Sequence, residues 1–283
     1  MLRQRILTAL VLAALFLGAL LGLEPRQFAL FAGLVIGVGA WEWSRLAGLA
    51  SAPARFTYLV VLAALMLGVF VFAGLAEGRV NPAVVRPLLL LGCLWWALAL
   101  LWVQGYPSSA LLWGSVAARL LIGVLVLIPA WLALAVLSQR DDGHWLILLV
   151  VLVVAGADVG AYFAGRALGR RKLAPAVSPG KTLEGLAGGL ATVLVVASIF
   201  LALSPGHRDL WWQWGLVVSM TALASVLGDL LESMVKRHRG VKDSGVILPG
   251  HGGILDRIDS LTAALPVFCL LYLLLIAGGA WRS

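Results

Sequence analysis

Charge is scarce in this chain. Of its 283 residues only 12% are Asp, Glu, Lys or Arg, about half the roughly 25% of a soluble domain. Too little polar surface exists to wrap a core, so soluble globular architectures are excluded. Cysteine is nearly lacking: Cys93 and Cys269 each lie inside an apolar stretch, and neither a disulfide framework nor a metal-binding spacing can be read from them. Acids are few as well, 13 against 21 Lys and Arg, for a formal net charge of +8. In so apolar a chain that excess reads as cytoplasmic loops and contact with anionic lipid, and no nucleic-acid partner is expected. Repeats of fixed period and low-complexity linkers are also missing.

What the chain has instead is hydrophobic length, 62% of residues. Arg3 and Arg5 precede an apolar run to Leu23 that has the outline of a signal peptide. The run is long enough to span, no A-x-A site follows and further apolar segments come after, so it is read as a retained first helix. A span needs about 20 mostly apolar residues, which places helices at 5–23, 28–48, 58–76, 87–104, 113–138, 144–166, 186–204, 211–232 and 261–280. The expected fold is therefore an all-α polytopic integral membrane protein with about nine transmembrane helices and cytoplasmic catalytic loops. Arg119 interrupts the fifth run, which implies a short preceding helix or a steep tilt.

With the N-terminus inside, fourteen of the 21 basic residues fall on inside segments, ten of them in 166–181 and 236–257. The positive-inside rule supports that orientation. Trp145, Trp211, Trp212, Trp214 and Trp281 lie near span ends, as interfacial anchors do. Residues 1–150 form a nearly featureless helical region, whereas 151–283 carry the chemistry: eight of the thirteen acids lie between 156 and 260.

Three stretches stand out there. Asp158 lies in an apolar span among small residues, Gly156, Gly160 and Gly165. An acid so placed either bonds a neighbouring helix or belongs to a site, and the site role is favoured. The second stretch is Ser178-Pro-Gly180-Lys181-Thr182-Leu-Glu184-Gly185. It has the tail of a P-loop but lacks the leading Gly, with Pro175 in its place, and lacks a preceding strand. Lys181 and the Ser178 and Thr182 hydroxyls ahead of a helix start still suit a phosphate, and a capped helix with Glu184 in its first turn is the structural alternative.

The third stretch runs from Asp229 to Asp259. Asp256 and Asp259 are three apart, so a helix projects both from one face. Like-charged carboxylates at a membrane surface favour a joining cation, and Mg²⁺ prefers such oxygens. Lys236, Arg237, Lys242 and Arg257 surround them, with Asp243 between, and Gly250, Gly252 and Gly253 allow backbone amides to approach a phosphate. His251 is a phosphate donor or structural turn residue ahead of a general base.

This 27-residue stretch, Ser233-x-Val-Lys236-Arg237-x4-Lys242-Asp243-x-Gly245-x2-Leu248-Pro249-x-His251-Gly252-Gly253-Ile254-x-Asp256-Arg257-Ile258-Asp259, resembles the signature of the phosphatidate cytidylyltransferases, or CDP-diglyceride synthases. The resemblance extends to Asp158-x-Gly160-Ala-Tyr162-Phe163-x-Gly165 and to the Ser178–Gly185 element, and so covers about 155–260. Gly180 departs from it, since the family usually has a second Lys there.

The resemblance implies transfer of CMP from CTP to phosphatidic acid, giving CDP-diacylglycerol and pyrophosphate, by an integral protein of the bacterial inner membrane with its site on the cytoplasmic side. It implies Mg²⁺, one or two divalent ions or a divalent and a monovalent one, and a homodimer among membrane lipids. Asp229 and Asp256 are then the first candidates for metal ligands, with Asp158 and Asp259 behind them. Lys181, Lys236, Arg237, Lys242, Arg257 and the turn of His251, Gly252 and Gly253 would hold phosphates. Competing readings are a CTP-dependent enzyme for another lipid, and a transporter whose path Asp158, Asp229 and Arg119 would line.

Overall fold

The computed structural model describes residues 2–203, 209–248, 250 and 252–278. Among them the chain forms α1 (Leu2–Gly22), α2 (Pro25–Ala47), α3 (Ala52–Phe72), α4 (Pro82–Gln104), α5 (Ala110–Trp113), α6 (Val116–Ser138) and α7 (Gly143–Leu168). A hairpin of β1 (Lys172–Ala174) and β2 (Ser178–Thr182) follows, then α8 (Leu183–Leu203), α9 (Trp211–His238) and α10 (Leu255–Leu275). Seven of these helices, α3, α4 and α6 to α10, are long and apolar enough to cross a membrane. The apolar stretch of α1 is shorter, Ile6–Gly22, and α2 carries Arg26, Glu42 and Arg45. The fold is an all-α polytopic membrane protein. Leu7, Leu34, Phe72, Leu101 and Leu203 are more than half exposed, a lipid-facing surface that no water-soluble protein would present on such a scale.

Helices begin where caps sit, upstream of the apolar runs. Ser51 Oγ accepts from the Ala54 amide at 3.4 Å and starts α3 at 52 rather than 58, and Asn81 Oδ1 accepts from Ala83 at 3.1 Å and starts α4 at 82 rather than 87. The fifth run divides: Ser115 Oγ accepts from Ala118 at 3.2 Å and opens α6, leaving α5 as a short helix before it. Arg119 therefore sits in the first turn of α6, buried, where Nε donates to Ala47 O at 2.9 Å and Nη1 donates to Gly114 O. Those carbonyls close α2 and α5, whose C-terminal ends attract a cation.

Of the expected anchors, Trp145, Trp211 and Trp212 are exposed, but Trp214 is 1% exposed and packs against Phe200, Phe268 and Tyr272. Its place one helical turn inside α9 turns it to the core. Trp281 lies outside the described residues.

α6 is central and packs on α2, α4, α7 and α10, while α10 also meets α9, α4 and α2. The first and second halves of the chain thus share one interior. α7 and α8 lie in close contact. A Cβ at Gly188 would run into Ala164, and one at Gly189 into the Ala157 carbonyl. These glycines let α7 and α8 approach closely within the chain.

One end of the bundle gathers the loops. Arg119 reaches the end of α2, Trp113 packs on His238 with ring centroids 4.9 Å apart, and Arg237 Nε donates to Val177 O in the hairpin at 3.4 Å. The segments expected on one side of the membrane meet there.

Candidate active site

The site is assembled where α9 ends and α10 begins. Asp229, Glu232, Ser233 and Lys236 recur at three- and four-residue spacing, which puts them on one face of α9. Lys236 Nζ lies 3.0 Å from Glu232 Oε1 and 2.6 Å from Asp256 Oδ1. Glu232 is 3% exposed, and its Oε2 has no hydrogen-bond partner among the described residues.

Asp256, in the first turn of α10, is held from several directions. Oδ2 accepts from the Gly253 amide at 2.8 Å and from the Ser244 amide and hydroxyl at 2.9 Å each. The 244–256 loop is thereby tied to the helix it precedes. Leu248 donates its amide to Gly252 O at 2.9 Å, closing the turn, and Gly252 has φ +83°, a left-handed conformation that suits glycine.

A second ion pair stands beside the first. Lys181 Nζ pairs with Asp229 Oδ2, and Ser233 donates to Asp229 Oδ1 at 3.2 Å. Asp158 lines one cavity with Lys181, and Asp259 follows Asp256 by one turn of α10. Three acids and two lysines are thus ion-paired along α9 and at the start of α10, with Asp158 and Asp259 beside them. Asp158, Lys181, Thr182, Gly180, Tyr162 and Arg166 line an adjoining cavity of about 480 Å³, within the ~300–1,000 Å³ that small-molecule sites occupy. Its walls turn apolar at Leu173, Leu186 and Val226. A smaller cavity, about 90 Å³ between α1, α2, α6, α7 and α10, is lined by aliphatic and aromatic side chains with Thr262 and has no charge to offer a phosphate.

Other expected residues are engaged elsewhere. Glu184 accepts from the Arg170 and Arg171 amides at 3.0 and 3.1 Å and pairs with Arg171 Nε at 3.0 Å, so it ties the connection between α7 and β1 to the start of α8, at the base of the hairpin. Thr182 Oγ1 accepts from the Gly185 amide at 3.1 Å and caps α8. Ser178 pairs with Ala174 across the hairpin, a strand pair in a segment expected to be loop. Arg237, Lys242, Asp243 and Arg257 are exposed around the cluster. His251 lies outside the described residues.

A further contributor carries no motif. Glu42 of α2, 2% exposed, accepts from the Leu255 amide at 2.8 Å and the Ile254 amide at 3.2 Å, and Ser244 Oγ lies 3.3 Å from it. The available signal is an ionisable residue closing an apolar run from Phe28 to Trp41.

Chemically, the arrangement offers hard oxygen donors with movable ammonium groups between them. Asp229 and Asp256 each carry a lysine as countercharge, and both lysines have flexible stems able to turn to a phosphate. No three acids converge as a ready ligand set among the described residues. Mg²⁺ is commonly held by one or two carboxylates together with substrate phosphates, and this donor set, with the unpartnered Glu232 oxygen, fits that use.

Residues 3–275 match the model of the cytidylyltransferase family. The chain is 47% identical over 271 residues to the phosphatidate cytidylyltransferase of Pseudomonas aeruginosa, covering 96% of this chain and 97% of that one. It is 46% identical over 290 residues to the phosphatidate cytidylyltransferase of Haemophilus influenzae, covering 96% and 99%. A 137-residue match at 47% identity to the Staphylococcus haemolyticus protein of the same name covers 47% of this chain and 51% of that one.

Proposed function

Because the chain belongs to the cytidylyltransferase family, we propose that it transfers CMP from CTP to phosphatidic acid, releasing pyrophosphate and forming CDP-diacylglycerol. The observation that carries this reading is the pair of lysine–carboxylate groups, Lys181 with Asp229 and Lys236 with Glu232 and Asp256, beside a cavity lined by Asp158 at the loop-bearing end of a membrane bundle. A soluble nucleotide and a lipid phosphate can meet only at such an end.

In the reaction a phosphatidate oxygen attacks the α-phosphorus of CTP. A new P–O bond forms as the bond to the β-phosphate's bridging oxygen breaks, and the electron pair leaves with pyrophosphate. The attacking phosphate is already ionised at neutral pH, so no base is needed. Two anions must be brought into line, and the protein's contribution is charge neutralisation and alignment. Lys181, facing the cavity, and Lys236 would turn from their carboxylates to the phosphates, with Arg237, Lys242 and Arg257 around them and Gly252 nearby; the Gly253 amide, expected to meet a phosphate, is instead held by Asp256. His251 is assigned here as a phosphate donor.

Asp229 and Asp256 would hold Mg²⁺, with Asp158 and Asp259 supporting them. The ion would supply Lewis-acid stabilisation of the phosphates and the leaving pyrophosphate. We place the N-terminus and these loops on the cytoplasmic face, in line with the basic residues gathered at this end, and take the protein to act as a homodimer. Mass-spectrometric detection of CDP-diacylglycerol from CTP and phosphatidic acid tests the function. Equal product from another phosphorylated lipid, with none from phosphatidic acid, would reassign the acceptor.

A further inference from the structure

Three consecutive amides open α10, and two carboxylates from distant parts of the chain divide them. The Gly253 amide donates to Asp256 Oδ2 at 2.8 Å, while the Ile254 and Leu255 amides donate to Glu42 at 3.2 and 2.8 Å. Ser244 lies between the two acids, its Oγ 2.9 Å from Asp256 Oδ2 and 3.3 Å from Glu42 Oε2. A hydroxyl has one proton to donate, so the two acids compete for it. The distances give Asp256 the larger share.

Among the described residues no Lys or Arg pairs with Glu42; its charge rests on the N-terminus of α10, where the helix dipole favours an anion. The glycines of the loop fit this acid. A Cβ at Gly245 or at Gly253 would run into the Glu42 carboxylate. That gives the loop's glycine spacing a reason beyond phosphate approach: it admits an acid from α2.

We propose that Glu42 is a positioning residue for CMP transfer: from α2 it fixes the start of α10 and, through Ser244, the orientation of Asp256. When Asp256 turns toward a cation, the Ser244 hydroxyl can turn to Glu42, so the loop keeps its bonds while the site loads. The inference rests on the reading that the Asp256 loop is the transfer site.

The test uses the full chain in detergent with Glu42→Gln, whose amide sets an N–H against donors that now meet an oxygen. Half-saturating Mg²⁺ should rise about tenfold, as when groups that orient metal ligands are removed, with the KM for phosphatidic acid little changed and the melting temperature lowered, since a buried amide donor is left without an acceptor. Hydrogen exchange at the 253–255 amides should quicken. Glu42→Asp should recover part of the Mg²⁺ response, and Ser244→Ala combined with Glu42→Gln should raise half-saturating Mg²⁺ by less than the product of the two separate changes, since both bear on Asp256 through one hydroxyl.

Unchanged Mg²⁺ saturation, with activity falling only in proportion to folded protein, would make Glu42 a helix cap and overturn the proposal. Unchanged exchange would overturn it too. Should Glu42→Gln not fold, Ser244→Ala alone must raise half-saturating Mg²⁺. If the unaltered protein releases no pyrophosphate, the functional reading fails, and exchange at 253–255 still decides whether Glu42 holds the loop.

Discussion

Lys236 Nζ lies 2.6 Å from Asp256 Oδ1 and fastens the end of α9 to the start of α10. The same ammonium neutralises Glu232 one turn earlier. Removing it leaves two acids, 3% and 7% exposed at their side chains, without a countercharge. Lys236→Met should cost about 3–5 kcal/mol of stability, as breaking a buried pair does, and abolish turnover. Adding Glu232→Gln should return part of the stability but no activity, which thermal denaturation and pyrophosphate release measure together.

Lys181 offers the opposite case. Its pair with Asp229 is a quarter to a third exposed, so Lys181→Met should change stability by no more than about 1 kcal/mol. As a phosphate ligand it should matter far more to rate, by about a hundredfold, the scale of losing one donor to a developing charge. Equal loss of stability and rate would return Lys181 to a structural role.

Much of this was legible in the sequence, for physical reasons. Apolar runs long enough to span became helices, and the acids of the signature stretch were brought together because a three- to four-residue spacing gives one helix face. Helix starts were missed by up to six residues because polar caps, Ser51 and Asn81 among them, extend helices beyond their apolar runs. The 172–182 hairpin carries little sequence signal: Pro and Gly break up its pattern, and the Glu184 contacts at its base are tertiary. Glu42 was invisible as chemistry, since its partners are backbone amides more than 200 residues away, and amides leave no mark in a sequence.

The glycines separate into tight and open positions. Gly253→Ala would press a methyl group on Ser244 and Glu42 and should cost about 1–3 kcal/mol, as overpacking does. Around Gly180 no atom lies within 4 Å of where a Cβ would stand, so Gly180→Ala should be neutral within about 0.5 kcal/mol. Melting temperatures of the two variants should differ in that order.

Gly180→Lys should also fold, and it adds a cation to the cavity wall beside Lys181. Half-saturating CTP should fall, with the gain shrinking as salt rises because the added attraction is screened. Steady-state kinetics at two ionic strengths would show it, and a salt-independent change would place the effect in the hairpin's structure.

The central claim is that the carboxylates at the α9–α10 junction carry CMP transfer between CTP and phosphatidic acid. Pyrophosphate release by the purified protein, compared with Asp256→Asn at saturating Mg²⁺, tests it most directly. Release should require CTP, phosphatidic acid and Mg²⁺ together and should vanish in the variant while its fold persists. Near-normal turnover by folded Asp256→Asn, or release without phosphatidic acid, would contradict the account.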